Sequence, residues 1–113
     1  MAAYTLTVRR RGATDRERFA TLGEALAALE DRLDALARRE RRHAERGLGR
    51  EYAPVHQVAV RGELRGPRSL SAGVDVRGDG SAEAFTGRWQ RRAVERRTGE
   101  TAYEALRRVL EEA

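Results

Sequence analysis

Cysteine, lysine, isoleucine and asparagine are all absent from this 113-residue chain, proline occurs twice, and only six side chains are aromatic. Without cysteine there can be no disulfide framework, no thiolate metal site and no thiol nucleophile. Without lysine no Walker-type phosphate loop can form. The two G-x-G runs, Gly47-Leu48-Gly49 and Gly78-Asp79-Gly80, lack the rest of a dinucleotide-binding pattern, and no serine stands in a G-x-S-x-G elbow. Long apolar runs are missing too: nothing approaches the ~20 residues of a membrane-spanning helix. The opening MAAYTLTVRR has no basic segment leading into an apolar one. These gaps lead to the expectation of a cytoplasmic protein without cofactor, metal or membrane partner.

Few residues remain that could carry catalysis. His43 continues a helical apolar stripe and His56 sits on an apolar strand side, so both read as helix-end or core-edge residues rather than as ligands or bases. Asp75 and Asp79 suggest a calcium loop, but Arg77 stands where such a loop needs an oxygen ligand. The chain is therefore read as a binding protein and not as an enzyme.

What is abundant is arginine. All 23 basic residues are arginine, against 18 acids, for a formal net charge of +5. A GC-rich coding bias would also replace lysine by arginine, so the informative quantity is where the charge lies. It lies in three blocks: residues 1–20 and 37–46 each carry net +3 and residues 86–97 net +4, while residues 21–36 and 98–113 are acidic. A concentrated basic surface gains affinity for polyanions by releasing the counterions condensed on their phosphates.

The chain fits one domain, residues 1–113, with a single core. Tyr4, Leu6 and Val8 alternate with Thr5, Thr7 and Arg9, the period of a half-buried strand, and Arg16 to Ala20 reads as its hairpin mate across Arg11-Gly12-Ala13. Thr21-x-x-Glu24 matches a capping box, and Leu22, Leu26, Leu29, Leu33 and Leu36 then form one helical stripe that is expected to run to about Arg46. Val55 to Leu64 reads as a strand with His56, Val58 and Val60 on one side. Leu70 to Val76 is the clearest half-buried strand, and Gly78-Asp79-Gly80 is a hairpin turn. A strand from Ala82 into "TGRWQRRAVERR" and a helix from Thr98 or Thr101 complete the chain, with Tyr103, Leu106 and Leu110 facing inward. The Thr21-x-x-Glu24-Ala25-Leu26 start reappears as Thr101-x-x-Glu104-Ala105-Leu106. The expected fold is α+β, a single domain in the order ββαβββα with two helices packed on one face of an antiparallel sheet.

If "TGRWQRRAVERR" continues the strand, Phe85 and Trp89 share one side and pack under the helices, while Arg88, Gln90 and Arg92 form a basic ladder on the other. A bulge near Arg91 and Arg92 would re-aim the chain. On the first helix Arg38, Arg42 and Arg46 lie at i, i+4 and i+8. Like charges so placed repel, and a phosphate backbone would relieve the repulsion; Asp34, four residues before Arg38, offers an internal alternative. The expected contacts to nucleic acid are thus Arg38, Arg42, Arg46, Arg88, Gln90 and Arg92, meeting as one patch and gripping phosphates with little sequence readout. The partner is nucleic acid or a ribonucleoprotein. The alternative is a protein-interaction or self-assembly module using the leucine stripe or an open sheet edge, with a protein partner or a homo-oligomer.

Residues 21–112, in the order α-β-β-β-α, resemble in outline the double-stranded-RNA-binding domain. That family's lysine pair at the start of the last helix is replaced here by Thr98-Gly-Glu-Thr-Ala-Tyr103, with an acidic Glu100, so the resemblance is one of topology.

Overall fold

The computed structural model describes residues 3–45 and 57–112, the side chains of 43–45 excepted. Six strands form one antiparallel sheet: β1 (Tyr4–Arg10), β2 (Ala13–Phe19), β3 (Val58–Gly66), β4 (Leu70–Arg77), β5 (Ala82–Thr86) and β6 (Arg92–Ala93), in the order β2-β1-β3-β4-β5-β6. Helix α1 (Leu22–Glu45) lies over β1 and β3, and α2 (Ala102–Glu112) over β4 and β5. The architecture is the α+β sheet with two helices that the sequence implies, with one short strand, β6, added. No helix among the described residues is long and apolar enough to cross a membrane.

Strand periodicity divides the sheet into two faces. Leu6, Val8, Val60, Leu64, Ala72, Val74, Val76 and Ala84 point toward the helices and are buried. They meet Ala25, Leu26, Leu29 and Leu33 of α1 and Ala102 and Leu106 of α2 in a single core. The leucine stripe of α1 is correct at its centre, while Leu22 and Leu36 sit at the edges, only partly buried. Both helix starts are capped as their sequences imply. The Glu24 amide donates to Thr21 Oγ1 at 3.1 Å, and the Glu104 amide to Thr101 Oγ1 at 3.1 Å. In the second helix the box is reciprocal, with the Thr101 amide donating to Glu104 Oε1 at 2.9 Å. The internal echo is thus one helix-start chemistry used twice.

The edge strand β2 is held to α1 by Arg32, whose guanidinium donates to both carboxylate oxygens of Glu17 at 2.9 and 2.8 Å. This contact holds the Glu17 carboxyl below the usual carboxylate range. One register irregularity corrects the reading of β3. The pairing shifts between Val58 and Val60, which face Arg77 and Val76 respectively. Val58 is therefore turned out and exposed although Val60, two residues on, is fully buried.

Candidate nucleic-acid interface

The face of the sheet opposite the helices is covered by no element among the described residues. From the register, Arg16 and Arg18 of β2, Arg9 of β1, Arg61 and Arg65 of β3 and Arg77 of β4 all project from it. Arg91, arriving from the β5–β6 connection, joins them over Phe85 and Glu63. Against these seven arginines stand, among the described strand residues, three acids on the same face, Glu63, Asp75 and Glu83. These residues thus leave a surplus of four positive charges on one side of the sheet.

The depth of the two signs differs. The Glu63 side chain is only 7% exposed and receives Arg9 at 2.5 Å, Arg65 at 3.4 Å and Arg91 at 3.7 Å. Asp75, 15% exposed, accepts a bidentate pair from Arg61 at 2.6 and 3.0 Å, which raises the Arg61 pKa above the ordinary arginine value. Glu63 and Asp75 lie at the floor with guanidinium groups above them, whereas Glu83, 52% exposed, stands at the surface beside Arg77. Arg16 and Arg18 have no ion-pair partner among the described residues.

Toward the β6 edge of this face lies Phe85. Its ring is roofed by two guanidinium groups, Arg91 at 4.8 Å and Arg61 at 5.8 Å from the ring centre. It rests on Gly73 of the neighbouring strand, where an added Cβ would stand 2.6 Å from the ring. The expectation that Phe85 packs under the helices is therefore overturned. The helix side of β5 is taken by Ala82 and Ala84, small enough for the close approach of α2, and Phe85 is out of phase with them.

The arginine-rich stretch "TGRWQRRAVERR" also resolves differently. β5 stops at Thr86, and residues 87–91 form a turn that returns the chain as β6. Gly87 makes the turn: its φ is +92°, its amide donates to the Ser71 carbonyl at 2.8 Å, and a Cβ there would lie 2.5 Å from the Gln90 carbonyl oxygen. The straight ladder of Arg88, Gln90 and Arg92 does not exist. Arg88 and Gln90 lie on the turn, exposed, and Arg92 pairs opposite Thr86 on the helix side. Trp89, expected in the core, is 87% exposed at this turn, with the Arg88 guanidinium 5.1 Å from its ring centre.

The helix residues are elsewhere. Arg38 is paired with Asp34 at 2.9 Å, the internal alternative, and Arg42 is exposed on the same helix. Arg41 between them packs its side chain on Gly80 of the β4–β5 turn. The β5–β6 turn, by contrast, is bonded to Ser71 at the start of β4. The eight residues of β4, about 25 Å, separate the two ends. The structure does not bring the helix arginines and Arg88, Gln90 and Arg92 into one patch. Arg46 and His56, and the side chain of His43, lie outside the described residues. Sequence reasoning missed Arg9, Arg16, Arg18, Arg61, Arg65, Arg77 and Arg91, although the alternation of Arg61, Glu63 and Arg65 with Val60, Gly62 and Leu64 carried the signal for two of them.

The start of α2 offers no phosphate grip. Glu100 there accepts from Arg108 at 2.9 and 3.0 Å and from the Arg97 amide at 2.8 Å, bonds that hold its carboxyl down at about 2. Tyr103, one turn into the helix, has its hydroxyl buried without a hydrogen-bond partner among the described residues. Burial and the nearby Asp34 and Glu30 carboxylates push its pKa up. No cluster of His, Asp and Glu with the makings of a metal site occurs among the described residues. No family model, no curated protein and no solved structure matches this chain.

Proposed function

We propose that this chain is a non-catalytic, cytoplasmic binding module for nucleic acid or a ribonucleoprotein, and that it grips phosphates through the arginines of the open sheet face. The observation that carries this reading is the layering of charge, with Glu63 and Asp75 sunk at 7% and 15% exposure beneath guanidinium groups that reach solvent. Planar guanidinium forks match phosphate oxygens in bidentate geometry, and a sheet face uncovered among the described residues gives them a surface on which a backbone can lie. Few groups here are placed to read base edges, so recognition depends little on sequence.

Arg16, Arg18 and Arg88 are free of acid partners among the described residues, so they engage phosphate without first parting from a carboxylate. The test is fluorescence anisotropy with labelled oligonucleotides across a salt series. Affinity is expected to fall linearly in log–log with salt. Replacing Arg16, Arg18 and Arg88 together by alanine is expected to flatten that slope by about 0.7–0.9 for each phosphate no longer neutralised. Absence of binding at about 50 mM salt, or a slope indifferent to the triple substitution, sinks the proposal.

A further inference from the structure

We infer that the nucleic acid taken by this surface is single-stranded, with one base stacked on the indole of Trp89. The inference rests on the binding reading above and adds to it the state of the strand. Trp89 is 87% exposed; the other exposed large apolar residue among those described is Val58, which belongs to the start of β3 at the opposite end of the sheet. A lone tryptophan on a polar turn gives up the whole benefit of burying its ring, and a partner with a flat π-face recovers it.

The backbone under the ring is closed on itself. The turn that carries it is only five residues long and is closed by the Gly87 amide on the Ser71 carbonyl at 2.8 Å and by the close approach of Gly87 to the Gln90 carbonyl. Arg88 lies over the ring, 5.1 Å from its centre, occupying one face and leaving the other. Arg91, two residues on, is on the sheet face itself, anchored over Phe85. A strand crossing the arginine face toward this corner thus meets cations for its phosphates and then an aromatic platform for a base.

Inside a duplex each base is covered on both sides by its neighbours, so its plane is closed to an indole. Single strands and loops splay their bases and stack them on such platforms, and every base has a π-face, so sequence matters little. An anionic membrane would also attract arginines and a tryptophan. The neighbours of Trp89 on the turn are Arg88, Gln90 and Arg91, however, with no second apolar side chain to enter the acyl region beside it.

Trp89 is the only tryptophan in the chain, so its emission reports on this site alone. The probes are oligothymidylate, a long self-complementary duplex without loop or overhang, and phosphatidylglycerol vesicles, each at about 50 mM salt. Oligothymidylate is expected to quench the emission and the duplex is not. Trp89→Ala is expected to lose about 5- to 100-fold in affinity for the single strand with duplex affinity unchanged, and Trp89→Phe to recover part of the loss. A thermal melt establishes that both variants are folded. Equal binding of both strands, without quenching and indifferent to Trp89→Ala, overturns the stacking inference and leaves the phosphate reading standing. Binding to neither strand overturns both. A blue shift with vesicles and no response to oligonucleotide also overturns both, assigning the surface to a membrane instead.

Discussion

Glu63→Gln is expected to weaken the fold and strengthen the binding. The substitution keeps the shape of a side chain that is 7% exposed but removes the charge that Arg9, Arg65 and Arg91 share at 2.5, 3.4 and 3.7 Å. Stripping one partner from a fully buried ion pair costs about 3–5 kcal/mol, an upper limit here because the three guanidinium groups reach solvent and rehydrate when released. The close Arg9 contact, as a hydrogen bond between charged groups, accounts for about 1.5–2 kcal/mol. The two longer pairs behave as surface pairs at about 0.2–1 kcal/mol each. The expected loss is about 2–3 kcal/mol. With an unfolding entropy of about 2.1 cal/mol/K per residue, a chain of this size loses about 4 °C of Tm per kcal/mol, so differential scanning calorimetry should show a fall of about 8–12 °C. Meanwhile the open face gains one positive charge, and anisotropy well below the melting range should show tighter oligonucleotide binding at low salt. A Tm within about 2 °C of the parent protein would refute the pairing; weaker binding by a folded variant would refute the claim that surplus charge drives affinity.

Three further outcomes follow from the geometry. Trp89→Ala is expected to leave the Tm nearly unchanged, because an indole 87% exposed contributes no core packing; a fall of the size usual for a buried tryptophan would place the ring inside. Tyr103→Phe is expected to raise stability by about 0.5–2 kcal/mol, since the substitution removes a buried hydroxyl that has no partner among the described residues, and a urea midpoint that drops instead would reveal one. Glu100, held down at about 2 by Arg108 and the Arg97 amide, contributes stability that is complete above its ordinary pKa of 4.5 and is lost as pH falls from there through about 2. NMR titration of its carboxyl carbon should give that low midpoint, and an ordinary one would mean the ion pair with Arg108 does not form.

Much of the scaffold was legible from local pattern. Period-two alternation located β1 and β4, and each Thr-x-x-Glu box located a helix start, because strand faces and helix caps are decided by residues within a few positions of one another. The site was less legible, for two physical reasons. Phe85 and Trp89 are four apart and apolar, which in a continuous strand places both in the core. The helix side of β5, however, is already filled by Ala82 and Ala84, and a left-handed Gly87 ends the strand between the two rings. The open face, in turn, is assembled by register. Glu63 lies 54 residues from Arg9, and nothing local tells either that a neighbouring strand will bring them together.

That same strand order sets where assembly must be slowest. Every neighbouring pair of strands but one is joined by a short turn and can close locally, within microseconds in isolated hairpins. The exception is β1 against β3, where Leu6 faces Leu64 across α1 and the whole connection after it. The sheet is thus two locally closing pieces, β1–β2 and β3–β6, sewn along one long-range seam. Loop-closure entropy is concentrated at that seam and sets the folding rate. The same seam sets Arg9 opposite Arg61 and beside Glu63, so the arginines of β1 and β2 join those of β3 and β4 in one face only when this long-range pairing forms.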